Sequence, residues 1–94
     1  MIKHTVFFKL KHELGSVEEE AFLEKAKALS SISTIQSFEL VKEISPKNNF
    51  NYGLVIQFED QAGYDIYNQH PQHTQFVKEV WIPEVEEFLE IDYI

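Results

Sequence analysis

The sequence predicts an α+β domain built on one four-stranded antiparallel sheet with its helices on a single face. Two observations lead to this prediction. Four segments alternate apolar and polar residues, which is the period of a β-strand, and two other segments repeat apolar residues every three or four positions. Their order along the chain is strand, helix, strand, strand, helix, strand. With 94 residues, the chain is long enough for one compact domain, which we expect to span residues 1–94.

The first strand and the first helix have distinct signatures. The segment Ile2–Leu10 alternates, and its apolar face carries a histidine, His4, between aliphatic neighbours. Ser16 and Glu19 stand three residues apart at the start of the next segment and predict a capping box, in which each side chain bonds the other residue's backbone amide. Apolar residues from Phe22 to Leu29 then follow helical spacing.

The middle of the chain predicts two paired strands. Alternation runs from Ile35 to Ile44 and again from Tyr52 to Phe58. The intervening Ser45–Asn49 is dense in turn-forming residues, so we expect a hairpin loop there.

The last third predicts an interrupted helical region and a fourth strand. Asp60 is a candidate N-cap for the second helix, and Pro71 interrupts that helix or starts a new one. Pro83 is expected to end the helical region. The segment from Val85 to Ile94 then alternates as a strand, with Leu89, Ile91 and Tyr93 on its predicted apolar face.

Together these elements give the βαββαβ, ferredoxin-like arrangement, and they leave one sheet face without helices. Phe7, Val41, Val55 and Phe88 fall on that predicted open face. Because this is too much apolar surface to leave in water, we expect a second copy of the sheet to cover it in a two-fold homodimer.

Composition excludes several classes of function. The formal charge of -8 disfavours nucleic acid and anionic membranes as partners. The chain contains no cysteine, which removes disulfides and thiolate catalysis, and no apolar run reaches the length of a membrane helix. No glycine-rich phosphate loop or dinucleotide fingerprint is present. We therefore expect a cytoplasmic protein that uses no cofactor.

The candidate chemistry lies in one short run and one strand residue. The run Tyr67–His73 is the densest polar cluster, and Tyr67 and His70 share a helical face. A neutral imidazole can act as a general base, and a phenol can hold an enolate oxygen. We expect His4, Tyr67 and His73 to line one pocket. His70 and His73 alone make a weak metal pair, so no metal is predicted.

Acidic residues near the end of the chain have simpler interpretations. Asp92 could orient a histidine, but alternation favours a solvated position or the dimer seam. Glu84, Glu86, Glu87 and Glu90 are interpreted as a solvated strand edge that discourages aggregation.

The whole chain resembles the stress-responsive A/B barrel family of dimeric α+β barrels. The opening Ile2–Lys11 is similar to that family's first strand with its histidine, and Tyr67–His73 is similar to its Tyr-x-x-His-Pro-x-His motif. The closing Asp92-Tyr93 also matches. The resemblance departs from the family at Leu40–Ile44, where many members have a glycine.

The resemblance implies a face-to-face dimeric barrel and, by analogy with the family's polyketide cyclase branch, a cofactor-free site. That site comprises His4, Tyr67 and His73, with His70 in support. We expect Phe8, Ile66 and His70 to contribute to binding of a small, apolar carbonyl compound. His73 would serve as the base, Tyr67 would bond the oxyanion, and His4 would position the substrate or Tyr67.

Whether the protein is an enzyme stays open at this point. The same histidines occur in family members without demonstrated catalysis, so a non-catalytic stress or interaction domain, with dimer formation as its main property, is the alternative. A cofactor-free oxygenase is a third hypothesis, on analogy of fold alone.

Overall fold

A computed structural model describes all 94 residues and confirms the predicted order of elements. The strands are β1 Ile2–Leu10, β2 Ile35–Lys42, β3 Tyr52–Phe58 and β4 Val85–Tyr93. The helices are α1 Val17–Lys27, α2 Gln61–Gln69, α3 Pro71–Phe76 and α4 Ile82–Glu84. The strands form one antiparallel sheet in the order β2-β3-β1-β4, which is the ferredoxin-like arrangement. No helix is both long and apolar enough to cross a membrane.

The helical region after β3 is interrupted once and is irregular in its second part. The Asp60 side chain caps α2 by accepting from the Gly63 amide at 2.9 Å. The chain leaves helical geometry at His70, and α3 restarts at Pro71. The helix then continues as a π-helical segment, Val77–Trp81, and as α4, where Pro83 precedes the return to extended backbone at Val85. The predicted break at Pro71 and the predicted end near Pro83 are therefore confirmed.

The capping box at α1 forms only in part. Ser16 Oγ accepts from the Glu19 amide at 3.2 Å, as predicted. The Glu19 carboxylate does not reach back to Ser16; it accepts from the Gly15 amide at 3.0 Å and from the Tyr52 hydroxyl at 2.8 Å. Gly15 has φ +80°, which brings its amide to the carboxylate. Burial, together with the nearby Glu19 carboxylate, raises the pKa of Tyr52 to about 12.

The hydrophobic core lies between one sheet face and the helices. Aromatic rings contribute most of it, since Phe8 packs on Phe22 and on Trp81 with ring centroids 5.5 and 5.1 Å apart. The buried apolar residues are Val6, Phe8, Leu10, Phe22, Ala26, Leu29, Ile32, Leu54, Ile56, Phe58, Tyr64, Tyr67 and Phe76.

The two faces of β4 are the reverse of the prediction. In the β1–β4 register, Phe8 pairs with Phe88 and His4 pairs with Asp92. Because paired residues share a sheet face, Phe88 and Asp92 lie on the helix-covered side together with His4 and Phe8. Phe88 is therefore not on the open face, and Asp92 is not at its seam. The prediction failed because β4 carries apolar residues on both faces, and alternation alone cannot say which face the helices cover.

The open face of the sheet is broadly apolar. Leu89, Ile91 and Tyr93 are each about half exposed on β4. Phe7 and Val55 continue the patch on β1 and β3. The Phe7 ring lies over Gly53, where an added Cβ would come within 2.5 Å of it, so the missing side chain lets the ring lie flat on the sheet.

Candidate functional site

A cavity of about 430 Å³ separates the sheet from the helical segments that follow β3. His4, Tyr67 and His73 all line it. The three residues come from β1, α2 and α3, so the fold brings together side chains that are distant in sequence. Most of the remaining wall is apolar and includes Val6, Leu54, Phe76, Trp81 and Phe88.

His4 is held by a hydrogen-bonded triangle. Its Nδ1 lies 2.6 Å from Asp92 Oδ1 and 2.9 Å from the Tyr64 hydroxyl oxygen. The Tyr64 hydroxyl donates to Asp92 Oδ2 at 2.7 Å. β1 and β4 supply His4 and Asp92 as direct cross-strand partners, and α2 supplies Tyr64 from above the sheet. The ring of a 6% exposed histidine is thereby fixed on one edge.

This triangle determines which ring nitrogen of His4 carries the proton. The single hydroxyl proton of Tyr64 is used on Asp92, and an ionised carboxylate only accepts. The proton between His4 and Asp92 therefore belongs to Nδ1 of His4. In the neutral ring, Nε2 is then an acceptor. His4 Nε2 has no hydrogen-bond partner in the protein, and it is not among the fully buried polar atoms. Because His4 lines the cavity, Nε2 can accept a hydrogen bond from a molecule there.

Tyr67 and His73 form the opposite wall. Their ring centroids are 4.3 Å apart, because the break at His70 turns α3 back toward the end of α2. His73 Nδ1 lies 3.3 Å from the Asn68 carbonyl oxygen, an acceptor, which places the proton on Nδ1 and leaves Nε2 free. Burial lowers the pKa of His73, and the nearby His4 adds to this effect. His73 is therefore neutral at pH 7.

Tyr67 brings a free hydroxyl group into an apolar setting. Its side chain is 2% exposed, and its hydroxyl has no hydrogen-bond partner within the protein. Burial raises the pKa of Tyr67 well above its ordinary value, and the negative charge of Glu90 adds to the effect. The phenol thus stays protonated at neutral pH and can donate one hydrogen bond to a molecule in the cavity.

Three residues predicted to bind a ligand lie elsewhere. Phe8 is fully buried in the core against Phe22, so it does not reach the cavity. Ile66 points to solvent, because Tyr64 and Tyr67 take the buried face of α2. His70 caps α3, accepting from the Gln72 amide at 3.1 Å.

Two residues at the site, Tyr64 and Glu90, were not predicted from the sequence, and Asp92 was considered only as the less favoured orienting carboxylate. Tyr64 stands three positions before Tyr67, a spacing that puts both on one helical face, and this signal could have identified it. Asp92 and Glu90 lie on the helix-facing side of β4, where both remain exposed to solvent, and only the β1–β4 register reveals this side.

The nearest arrangement to a metal site is His4, Glu90 and Asp92, with potential ligand atoms within 4.8 Å of one another. Both Asp92 oxygens and His4 Nδ1 are already joined to each other or to Tyr64. A metal ion at these atoms would have to replace three short hydrogen bonds. The geometry accordingly favours a hydrogen-bonded network at this position. That the protein needs no metal remains a prediction.

The fold and cavity define a class: a ferredoxin-like α+β protein with a tyrosine and two histidines around an apolar pocket. Comparison with known proteins gives the family. Residues 2–94 match the family described as Stress responsive A/B Barrel Domain, so the chain belongs to that family. A "dabb family protein with a ferredoxin-like fold" from Mesorhizobium loti is 51% identical, with TM-score 0.97 over 99% of this chain and 94% of that one.

More distant relatives share the domain or its fold. A stress-response A/B barrel domain-containing protein of Arabidopsis thaliana is 26% identical over 100% of this chain, which spans only 36% of that relative's length. A dimeric ferredoxin-like protein of unknown function from Bacteroides fragilis is 24% identical, with TM-score 0.74 over 98% of this chain and 93% of that one. A hydroxynitrile lyase from Passiflora edulis is 19% identical, with TM-score 0.85 over 99% of this chain and 91% of that one.

Proposed function

We propose that this chain forms a homodimer and binds a small, apolar carbonyl compound in the cavity lined by His4, Tyr67 and His73. There His73 removes a proton from the carbon next to the carbonyl group, without a cofactor. One observation carries the proposal: a free phenol donor and a neutral imidazole with a free nitrogen face the same apolar cavity.

The size and lining of the cavity support binding of a small molecule. A volume of about 430 Å³ lies within the range of small-molecule sites. The walls are mainly apolar, with a few polar groups in fixed positions. This combination suits a compound with an apolar body and one polar group.

The arrangement of polar groups supports proton abstraction. A carbonyl oxygen can accept from the Tyr67 hydroxyl, which polarises the carbonyl and makes the neighbouring C–H more acidic. His73 Nε2 takes that proton, and the C–H electron pair becomes the double bond of an enolate. The negative charge moves to the oxygen held by Tyr67. His4, anchored on its other edge by Asp92, presents a second acceptor that orients the ligand.

The open sheet face supports the homodimer. Leu89, Ile91 and Tyr93 would otherwise leave a broad apolar patch in water. The relative from Bacteroides fragilis is described as dimeric. Since the hydroxynitrile lyase resembles this chain in fold alone, it supports only the statement that an enzyme can be built on this fold.

Proton exchange is the direct test. 4-Phenyl-2-butanone, an apolar ketone, would be incubated with the protein in D₂O, and loss of its α-proton signals would be followed by NMR. We expect exchange above the buffer rate, a fall of about 10² to 10⁴-fold in His73→Ala, and a fall of about 10² in Tyr67→Phe. His12→Ala is the matched control, because this histidine bonds Glu84 and lies outside both the cavity and the helix that carries His73.

The outcomes separate catalysis from binding. Binding of the ketone with shifts in the His4 and His73 ring signals but no enhanced exchange would contradict proton abstraction and leave a binding protein. Exchange that survives in His73→Ala would assign the base to another group. Absence of any ketone binding would contradict the proposed binding of an apolar carbonyl compound, whereas the homodimer is tested separately.

A further inference from the structure

We infer that the cavity selects uncharged ligands over anionic ones, and that Glu90 is the residue that sets this preference. The inference rests on the proposed function, since it names the charge class of the ligand that the same cavity takes. It concerns a residue that the proposed proton transfer does not use.

Glu90 is an acid on an otherwise largely apolar wall. It lies on the helix-facing side of β4, directly across from Val6 of β1. Glu90 lines the cavity and is also exposed to solvent, and it makes neither a hydrogen bond nor an ion pair with another side chain. One of its oxygens lies within 4.8 Å of a His4 ring nitrogen and of an Asp92 carboxylate oxygen.

Nothing in the cavity wall offsets this negative charge. The chain contains eight basic residues, all lysines, and none of them lines the cavity. The two histidines there are His4, whose Nδ1–H already serves Asp92, and His73, which burial keeps neutral. An anionic group entering the cavity would find no cation and no guanidinium fork with which to pair.

The physical consequence is repulsion between Glu90 and an anionic ligand group a few ångströms away. Because Glu90 is exposed, water and salt screen part of this repulsion, and the apolar walls on the cavity side reduce that screening only in part. The field of the whole chain, with its formal charge of -8, has the same sign. An uncharged carbonyl compound is repelled neither by Glu90 nor by the net charge of the chain, and its oxygen still accepts a hydrogen bond from the Tyr67 hydroxyl.

Two dyes with the same ring system provide a test that needs no turnover. N-Phenyl-1-naphthylamine is uncharged, and 1-anilinonaphthalene-8-sulfonate differs by one sulfonate; both fluoresce in apolar sites. Each would be titrated into the full chain at pH 7.5 and low salt, and the ratio of their dissociation constants would be measured. Val77→Trp, which narrows the cavity, must weaken the binding of both dyes for the signal to report the cavity.

We expect the wild-type chain to bind the uncharged dye at least about tenfold more tightly, with Glu90→Gln shrinking that ratio several-fold. Glu59→Gln is the matched control, because it removes an exposed charge that does not line the cavity. Raising the salt to 1 M should also shrink the wild-type ratio through screening.

Two results would overturn the inference. The first is equal binding of both dyes to the wild-type chain. The second is an equal change of the ratio in Glu90→Gln and Glu59→Gln, which would mean that total charge, not Glu90, sets the preference. Failure of both dyes to bind would instead contradict the proposed small-molecule cavity itself, so the two failures are distinguishable.

Discussion

His4 Nδ1 and Asp92 Oδ1 lie 2.6 Å apart, although 88 positions separate the two residues in the chain. They are direct partners in the β1–β4 register, so the backbone of two hydrogen-bonded strands fixes their separation. Tyr64 bonds both of them from α2. The ring edge toward Asp92 is therefore occupied, and the other edge is the one available to a ligand.

The first prediction concerns the proton on His4. In the wild-type chain at pH 8, we expect one neutral tautomer, protonated at Nδ1, in a long-range ¹H–¹⁵N spectrum of histidine-labelled protein. Asp92→Asn should populate both tautomers, because an amide can either donate to the ring nitrogen or accept from it. Asp65→Asn, at an exposed carboxylate of α2 bonded to Gln61, is the control. A wild-type ring protonated at Nε2 would contradict the assignment.

The second prediction concerns the stability that Tyr64 provides. Tyr64→Phe should lower the free energy of unfolding by about 1 to 2 kcal/mol, because Asp92 loses a donor and His4 loses an acceptor. Tyr93→Phe, at a half-exposed tyrosine on the open face, should change it by less than about 0.5 kcal/mol. Urea unfolding of both variants measures the difference. Equal losses in the two variants would show that the Tyr64 bonds add no stability.

The third prediction concerns acid. Burial lowers the pKa of His73 in the folded chain, whereas in the unfolded chain it titrates near 6.5. As the pH falls below about 6.5, the imidazole of the unfolded chain binds a proton before that of the folded chain does. The stability that comes from the neutral ring is therefore fully present above about pH 6.5. It is lost as the pH falls from there toward the lower pKa of the folded chain. Urea midpoints from pH 7.5 to 5 should therefore fall more in the wild-type chain than in His73→Phe. Parallel curves would contradict the expected burial of the imidazole.

The fourth prediction concerns the homodimer. Ile91 and Ile66 are each 52% exposed, but the first lies on the open sheet face and the second on α2. Ile91→Glu should convert the dimer to a monomer, because it places a charge within the buried seam. Ile66→Glu, with the same change at the same exposure, should leave the mass unchanged. Light scattering at micromolar concentration gives both masses, and a monomeric wild-type chain would remove the proposal.

The fifth prediction concerns metal. Dialysis against EDTA should leave the melting temperature unchanged, because His4 and Asp92 are held by Tyr64 and by each other rather than by an ion. Elemental analysis after simple dialysis should find no stoichiometric zinc. Zinc that survives dialysis, together with a lower melting temperature after chelation, would contradict this expectation.

Local sequence patterns were sufficient for the order of elements and for the expectation that His4, Tyr67 and His73 line one cavity. Alternation identified the strands, and the dipeptide His70-Pro71 identified the helix restart that turns His73 toward Tyr67. The position of His4 on the apolar face of β1 follows from the same alternation. These features depend on neighbours close in sequence, which is why periodicity captures them.

The partners of His4 depend on long-range pairing that no local pattern encodes. Leu89 and Ile91 look like core residues in the sequence, and Asp92 looks like a surface residue. The register with β1 reverses both assignments. Glu90 was misassigned for the same reason. Phe8 lies on the helix-facing side of β1, as predicted, but it does not line the cavity, because the rings of Phe22 and Trp81 pack against it.

Strand β4 carries Phe88 and Glu90 toward the cavity and Leu89 and Ile91 toward the open face. A ligand that displaces this strand therefore also displaces the surface proposed for subunit contact. Ligand binding and dimer formation are then coupled, and the coupling is reciprocal. If the dimer binds a ligand more tightly than the monomer does, the ligand strengthens the dimer by the same factor. Apparent ligand affinity would in that case decline on dilution of the protein, as subunits separate.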